Sequence, residues 1–123
     1  MHLKQINVTA RTVDFDPIQF LIGQDAIAAF HKDNPGAKDG PPNDYYIVNA
    51  SPHIYKARVA ANVVVWDTRS QDGGSNTLKA ETFAGLVQYL AAHKTNNGFL
   101  AYNPYWLTLS NREVTTICEQ WVP

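Results

Sequence analysis

Apolar and polar residues alternate along Tyr105-Trp106-Leu107-Thr108-Leu109-Ser110, a short polar stretch follows, and Val114-Thr115-Thr116-Ile117 is rich in β-branched side chains. This is the pattern of two half-buried strands joined by a tight turn. Alternation sends Leu107 and Leu109 toward the core and Trp106 to the opposite face. Val114 and Ile117 lie three apart, so burying both requires a β-bulge near Thr115 or Thr116. A second hairpin opens the chain. Ile6, Val8 and Ala10 share one face of a strand over Leu3 to Ala10, a turn follows at Arg11-Thr12, and Val13 and Phe15 return. Asp14 and Asp16 alternate with Val13 and Phe15, which predicts a solvated sheet face rather than a catalytic carboxylate pair. Pro17 marks a strand end or an edge.

Between the hairpins the period changes. Ile27 and Phe30 lie three apart with alanines between them, and Asn34-Pro35-Gly36 is a stop, so 23–34 reads as a helix of about three turns. His31 and Lys32 suit its C-terminal end, a sufficient role for that histidine. Residues 34–43, with three prolines and two glycines, form a loop. Strands are expected at Asp44 to Asn49, at Ile54 to Val59 and at Asn62 to Trp66, the last apolar on both faces and hence placed at the sheet centre or under a helix. Phe83, Leu86, Val87 and Leu90 then give a clean amphipathic helix, with Thr82 or a residue just before it as cap and Asn96-Asn97-Gly98 as stop. Gly85 inside it suggests a close approach to the sheet.

Composition adds limits. The chain has 123 residues, 45% of them apolar, which suits one domain spanning 1–123. Ten basic and eleven acidic residues leave a net charge of -1 with no basic cluster, which argues against a nucleic-acid partner. The apolar runs are too short to cross a membrane, and the first five residues carry no signal-peptide core. Cys118 is the only cysteine and reads as a small hydrophobe in the last strand. No phosphate loop, metal-ligand spacing or nucleophile elbow is present, so no cofactor, metal or catalytic residue is assigned. Asp72-Gly73-Gly74-Ser75 in the loop from Thr68 to Asn76 lacks the ligand spacing of a calcium loop.

The densest group of binding-type residues is Pro41-Pro42-Asn43-Asp44-Tyr45-Tyr46-Ile47-Val48-Asn49. Tyr45 and Tyr46 must face opposite sides of a strand, and Asn43, Asp44 and Asn49 supply hydrogen-bonding groups around them. With Trp106 these form the candidate ligand-binding set. The other aromatics, Tyr55, Trp66, Tyr102, Tyr105 and Trp121 among them, are expected mostly in the core, with a surplus left to mark a surface patch.

Three stretches in order resemble an uncharacterised family of small extracytoplasmic actinobacterial domains, lipoproteins or secreted proteins. They are Arg11 to Gly23, the Pro41 to Asn49 run with its Asn-Asp-Tyr-Tyr-Ile-Val-Asn core, and Trp106 to Leu109 with Val114-Thr115 and Glu119 to Pro123. The resemblance implies an extracytoplasmic location and no particular activity. Asn111-Arg112 stands where the family commonly has Asp-Gly, and the family's N-terminal leader is not seen here.

The pattern as a whole predicts an α+β fold of about seven strands in the order β-β-α-β-β-β-α-β-β. The strands should pair antiparallel in a small barrel or strongly curved, OB-like sheet with two helices. The alternative is a cystatin-like or nuclear-transport-factor-like cone around a pocket. The functional expectation is a non-enzymatic extracytoplasmic binding module for a small molecule, a cell-envelope glycan or a protein. The alternative is a small enzyme of cyclase or isomerase type using a polar pair such as Asp44 and Tyr46.

Overall fold

The computed structural model describes residues 1–68, 76–93, 100–101 and 103–123. The expected stop at Asn96-Asn97-Gly98, the Asp72 to Ser75 run and Tyr102 lie outside them. Among the described residues, eight strands and two helices follow as β1 (His2–Asn7), β2 (Thr12–Asp16), β3 (Gln19–Ile22), α1 (Gly23–Asp33), β4 (Tyr45–Val48), β5 (Tyr55–Asp67), β6 (Lys79–Glu81), α2 (Phe83–Ala92), β7 (Tyr105–Ser110) and β8 (Glu113–Glu119). The class is α+β. The main sheet runs β1-β2-β5-β8-β7 with β6 also on β5, and β3 pairs with β4 in a separate two-stranded sheet.

Three expectations are corrected. Antiparallel pairing throughout fails at the sheet centre, where β5 and β8 run parallel. The cause is the connection: β6, α2 and β7 intervene, so the chain crosses over the sheet by a helix before β8 is laid down, as a parallel pair requires. The barrel is not closed among the described residues, although Met1 and Tyr105 exchange backbone bonds of 2.9 and 2.8 Å near the two edges. The two strands expected over 54–59 and 62–66 are one strand, β5, with an irregularity inside it: Val59 pairs with Val114 and Val64 with Thr116. Ala60 to Val63 therefore stand against Thr115 alone. Arg11, at φ 50°, fills this irregularity from the β1–β2 turn, donating to the Ala60 carbonyl at 2.7 Å while its guanidinium lies 5.0 Å from the Phe83 ring centroid.

The bulge expected in the last hairpin is present. Thr108 pairs with Thr116 and Leu109 with Val114, leaving Thr115 as the extra residue, and both Val114 and Ile117 are buried. The turn is the two-residue Asn111-Arg112, both at positive φ, which matches the twist of the strands. Leu107 packs on the core as expected; Leu109, past the bulge, is exposed. A bulge at Lys4 does the same service in β1, letting Leu3 and Ile6 both face inward.

The core lies between the main sheet and α2. Leu3, Val13, Phe15, Val65, Tyr105, Val114 and Ile117 from the strands meet Phe83, Leu86, Tyr89 and Leu90 from the helix. Thr82 caps α2, its hydroxyl accepting from the Gly85 backbone N–H at 2.9 Å. Gly85 leaves room for this cap: a side chain there would strike the Glu81 carboxylate and the Thr82 hydroxyl rather than the sheet. α1, which connects β3 to β4, packs on this antiparallel pair, with Phe30 edge-on to Tyr46 at 5.4 Å.

Candidate functional site

With α2 on one face, the register of the main sheet decides what the other face presents. Cys118 on β8 pairs with Trp66 on β5 and with Trp106 on β7, and Trp66 pairs with Ala80 on β6. Cross-strand partners share a face, so Ala80, Trp66, Cys118 and Trp106 form one row across four strands. Their neighbours Val65, Ile117 and Tyr105 are buried on the helix side. Trp106 is 53% exposed and Trp66 39%, with Val64 exposed beside them.

Trp106 is also held in place. Its indole N–H donates to the Gln120 side-chain oxygen at 2.9 Å, and the Gln120 amide donates to the Trp121 carbonyl at 3.0 Å. Ile18, Phe20 and Pro104 border a notch of about 10 Å³ beside it, with room for no more than a water molecule. Phe20 in turn stacks on Tyr45 at 5.2 Å. Thus two members of the expected set, Tyr45 and Trp106, are linked through Phe20.

The remaining members go elsewhere. Tyr46 faces α1, its hydroxyl donating to Asp33 at 3.1 Å, and this carboxylate acceptor holds the phenol above its ordinary pKa. Its polar partner is therefore Asp33. Asn43 and Asp44 are exposed; Asp44 has φ 61° and borders an open depression of about 330 Å³ with Gly23, Ile27, Gly40 and Pro41. Asn49 donates to Asp16 at 2.7 Å. Asp16, expected on a solvated face, is buried at the end of β2 opposite His2 on β1, so Asn49 donates to one oxygen of an interior carboxylate.

Sequence reasoning missed β3 and with it Phe20 and Ile18. Its signal was the run Gln19-Phe20-Leu21-Ile22, too short and too continuously apolar to show a period. Trp66, expected in the core with most of the other aromatics, lies instead on the uncovered side of its strand, opposite the buried Val65. Among the described residues, Tyr55 and Trp121 are exposed as well, while Tyr105 is buried. Glu119 is a buried carboxylate that receives Thr68 N–H at 2.6 Å, Thr68 hydroxyl at 2.9 Å and the Asn103 amide at 2.6 Å. Nothing in its local sequence marks it.

Burial, and next the neighbouring Glu119, raise the Cys118 thiol above its ordinary pKa, so it is a poor nucleophile at neutral pH. Among the described residues no cluster of three or more His, Cys, Asp or Glu could hold a metal, and no helix is long and apolar enough to cross a membrane. Comparison with protein-family models, with curated proteins and with solved structures finds no match.

Proposed function

We propose that the chain is a non-enzymatic binding module whose contact surface is the uncovered face of the main sheet, centred on Trp66 and Trp106. The observation that carries this reading is the row itself: two indoles, both more than a third exposed, flank one residue on a regular three-strand segment. Aromatic surface left in water on a rigid platform is what a partner can cover with a gain in free energy and little loss of conformational freedom. A strongly curved, OB-like sheet fits the approach of Met1 to Tyr105. The extracytoplasmic location implied by the family resemblance goes with the same reading. The enzymatic alternative has less behind it, since Tyr46 is engaged by Asp33 and the space between sheet and α2 is occupied by side chains.

A thermal-shift screen against oligosaccharides, lipid vesicles and candidate proteins tests this, run in parallel on the native chain and on the Trp66→Ala/Trp106→Ala double variant. The expected result is a ligand class that raises the melting temperature of the first and not of the second. Ligands that shift both equally would overturn the assignment of this face.

A further inference from the structure

We infer that the ligand of this face is a neutral β-1,4-linked glycan lying across the strands, with alternate sugar rings stacked on Trp106 and Trp66. This rests on the binding-face reading above and gives it a chemical class. The first ground is spacing. Trp66 and Trp106 are each one strand away from Cys118, in register on opposite sides of it. Two strand spacings separate their backbones by about 9.5 Å. That is close to the length of one disaccharide repeat in a β-1,4-linked chain. The linkage flips successive rings, so every second ring offers the same face in the same orientation. A three-ring segment can then lay its first and third rings on the two indoles while its middle ring passes over Cys118.

The second ground is charge. Among the described residues, the outward positions around the row are Ala80, Val64, Thr116, Thr108 and Gln120, none of them ionisable. The charged residues of the same face, Asp14, Lys56, Arg58 and Glu113, gather at its other end. The uncharged end of the face, around the two tryptophans, complements an uncharged polymer and offers little to a nucleic acid or an acidic peptide. The third ground is chemical fit. The electron-rich face of an indole attracts the polarised C–H groups on the apolar side of a sugar ring. Thr108, Thr116 and Gln120 provide donors and acceptors at the margin for its hydroxyls. Gln120 also fixes the Trp106 ring before any ligand arrives, which lowers the ordering cost of binding.

The test is titration calorimetry of the native chain with chito- and cello-oligosaccharides of two to six units, with retention on insoluble chitin and cellulose as a second readout. Trisaccharides and longer chains should bind at least tenfold more tightly than disaccharides, because only they reach both indoles. Trp66→Ala and Trp106→Ala, each checked for native melting, should each abolish that length dependence. Equal affinity for two and six units, or retention by the double variant, overturns the inference. A different partner, a protein or a second copy of the chain, that is lost in the tryptophan variants with no glycan bound also overturns it and leaves the binding face standing. A partner indifferent to both tryptophans overturns the binding face as well.

Discussion

Tyr105 and Trp106 are consecutive on β7, yet one is fully enclosed by the core and the other stands half in water. Strand alternation alone separates them. Tyr105→Ala removes a ring from the α2 side of the sheet and should cost about 3 to 5 kcal/mol as a large-to-small core change. Trp106→Ala removes a half-exposed ring and one side-chain hydrogen bond and should cost about 1 kcal/mol. Urea denaturation of the two variants measures the contrast; equal losses would mean that Trp106 is covered in solution.

The β7–β8 turn carries removable strain. Asn111 and Arg112 have φ of 51° and 66°, and a left-handed conformation is unfavourable for the arginine, whose Cβ crowds the following carbonyl. Arg112→Gly should therefore stabilise the chain by about 0.5 to 1 kcal/mol, since the native dihedrals suit glycine even though its unfolded state is more flexible. Thermal unfolding of this variant beside Arg112→Ala, which keeps the strain, checks the assignment.

Much of this hairpin was legible in the sequence because it is local. Spacing of Val114 and Ile117 implied the bulge, and alternation from Leu107 placed Trp106 outward. The parallel pairing of β5 with β8 was not legible, because it depends on which way the chain returns after α2, and no residue in either strand encodes that. The same gap hid the row of Trp66, Cys118 and Trp106, whose members come from three strands and meet only through register. Asn49 was legible as a hydrogen-bonding residue but not as the partner of Asp16, which lies far away in sequence and whose burial contradicts its own alternation.

That partnership has a measurable weight. Asp16 is buried, and its Oδ2 accepts from Asn49 while its Oδ1 is buried with no hydrogen-bond partner among the described residues. Asn49→Ala takes away this donor to an interior carboxylate and should cost about 1 to 3 kcal/mol despite the exposure of Asn49. A loss below about 0.5 kcal/mol in urea denaturation would return Asn49 to the ligand-contact set.

His2 gives the fold a pH dependence. Burial, and next the charge of the chain's amino group, lower its pKa below the ordinary 6.5; Asp16 opposes this and Lys4 adds to it. The unfolded chain then binds the proton more tightly than the folded one in the window just below pH 6.5, so stability falls as pH drops through it. Below the folded pKa this contribution levels off. Melting temperature should decline between pH 7 and 5, with the amino group of Met1, whose pKa burial lowers to about 6, contributing to its upper part, and His2→Gln should make the decline shallower; an unchanged slope in the variant would assign all of it to other groups.

Glu119 ends β8 inside the protein, where its two oxygens divide their partners: Oε2 takes both groups of Thr68, and Oε1 takes the Asn103 amide. All three are donors, so a carboxylate fits this place and an amide does not. In Glu119→Gln, whichever way the new amide turns, its NH2 group meets either Thr68 N–H or the Asn103 amide, and a buried donor faces a donor. The isosteric change should cost about 2 to 4 kcal/mol, the loss of charge-assisted bonds plus the desolvation of an unmatched group. Adding Asn103→Asp supplies an acceptor for that NH2, and the double variant should lose less stability than Glu119→Gln alone. Urea denaturation of the two single variants and the double variant closes the cycle. A double variant less stable than the sum of the singles would show that Asn103 is held by its other contacts and does not pair with Glu119 in solution.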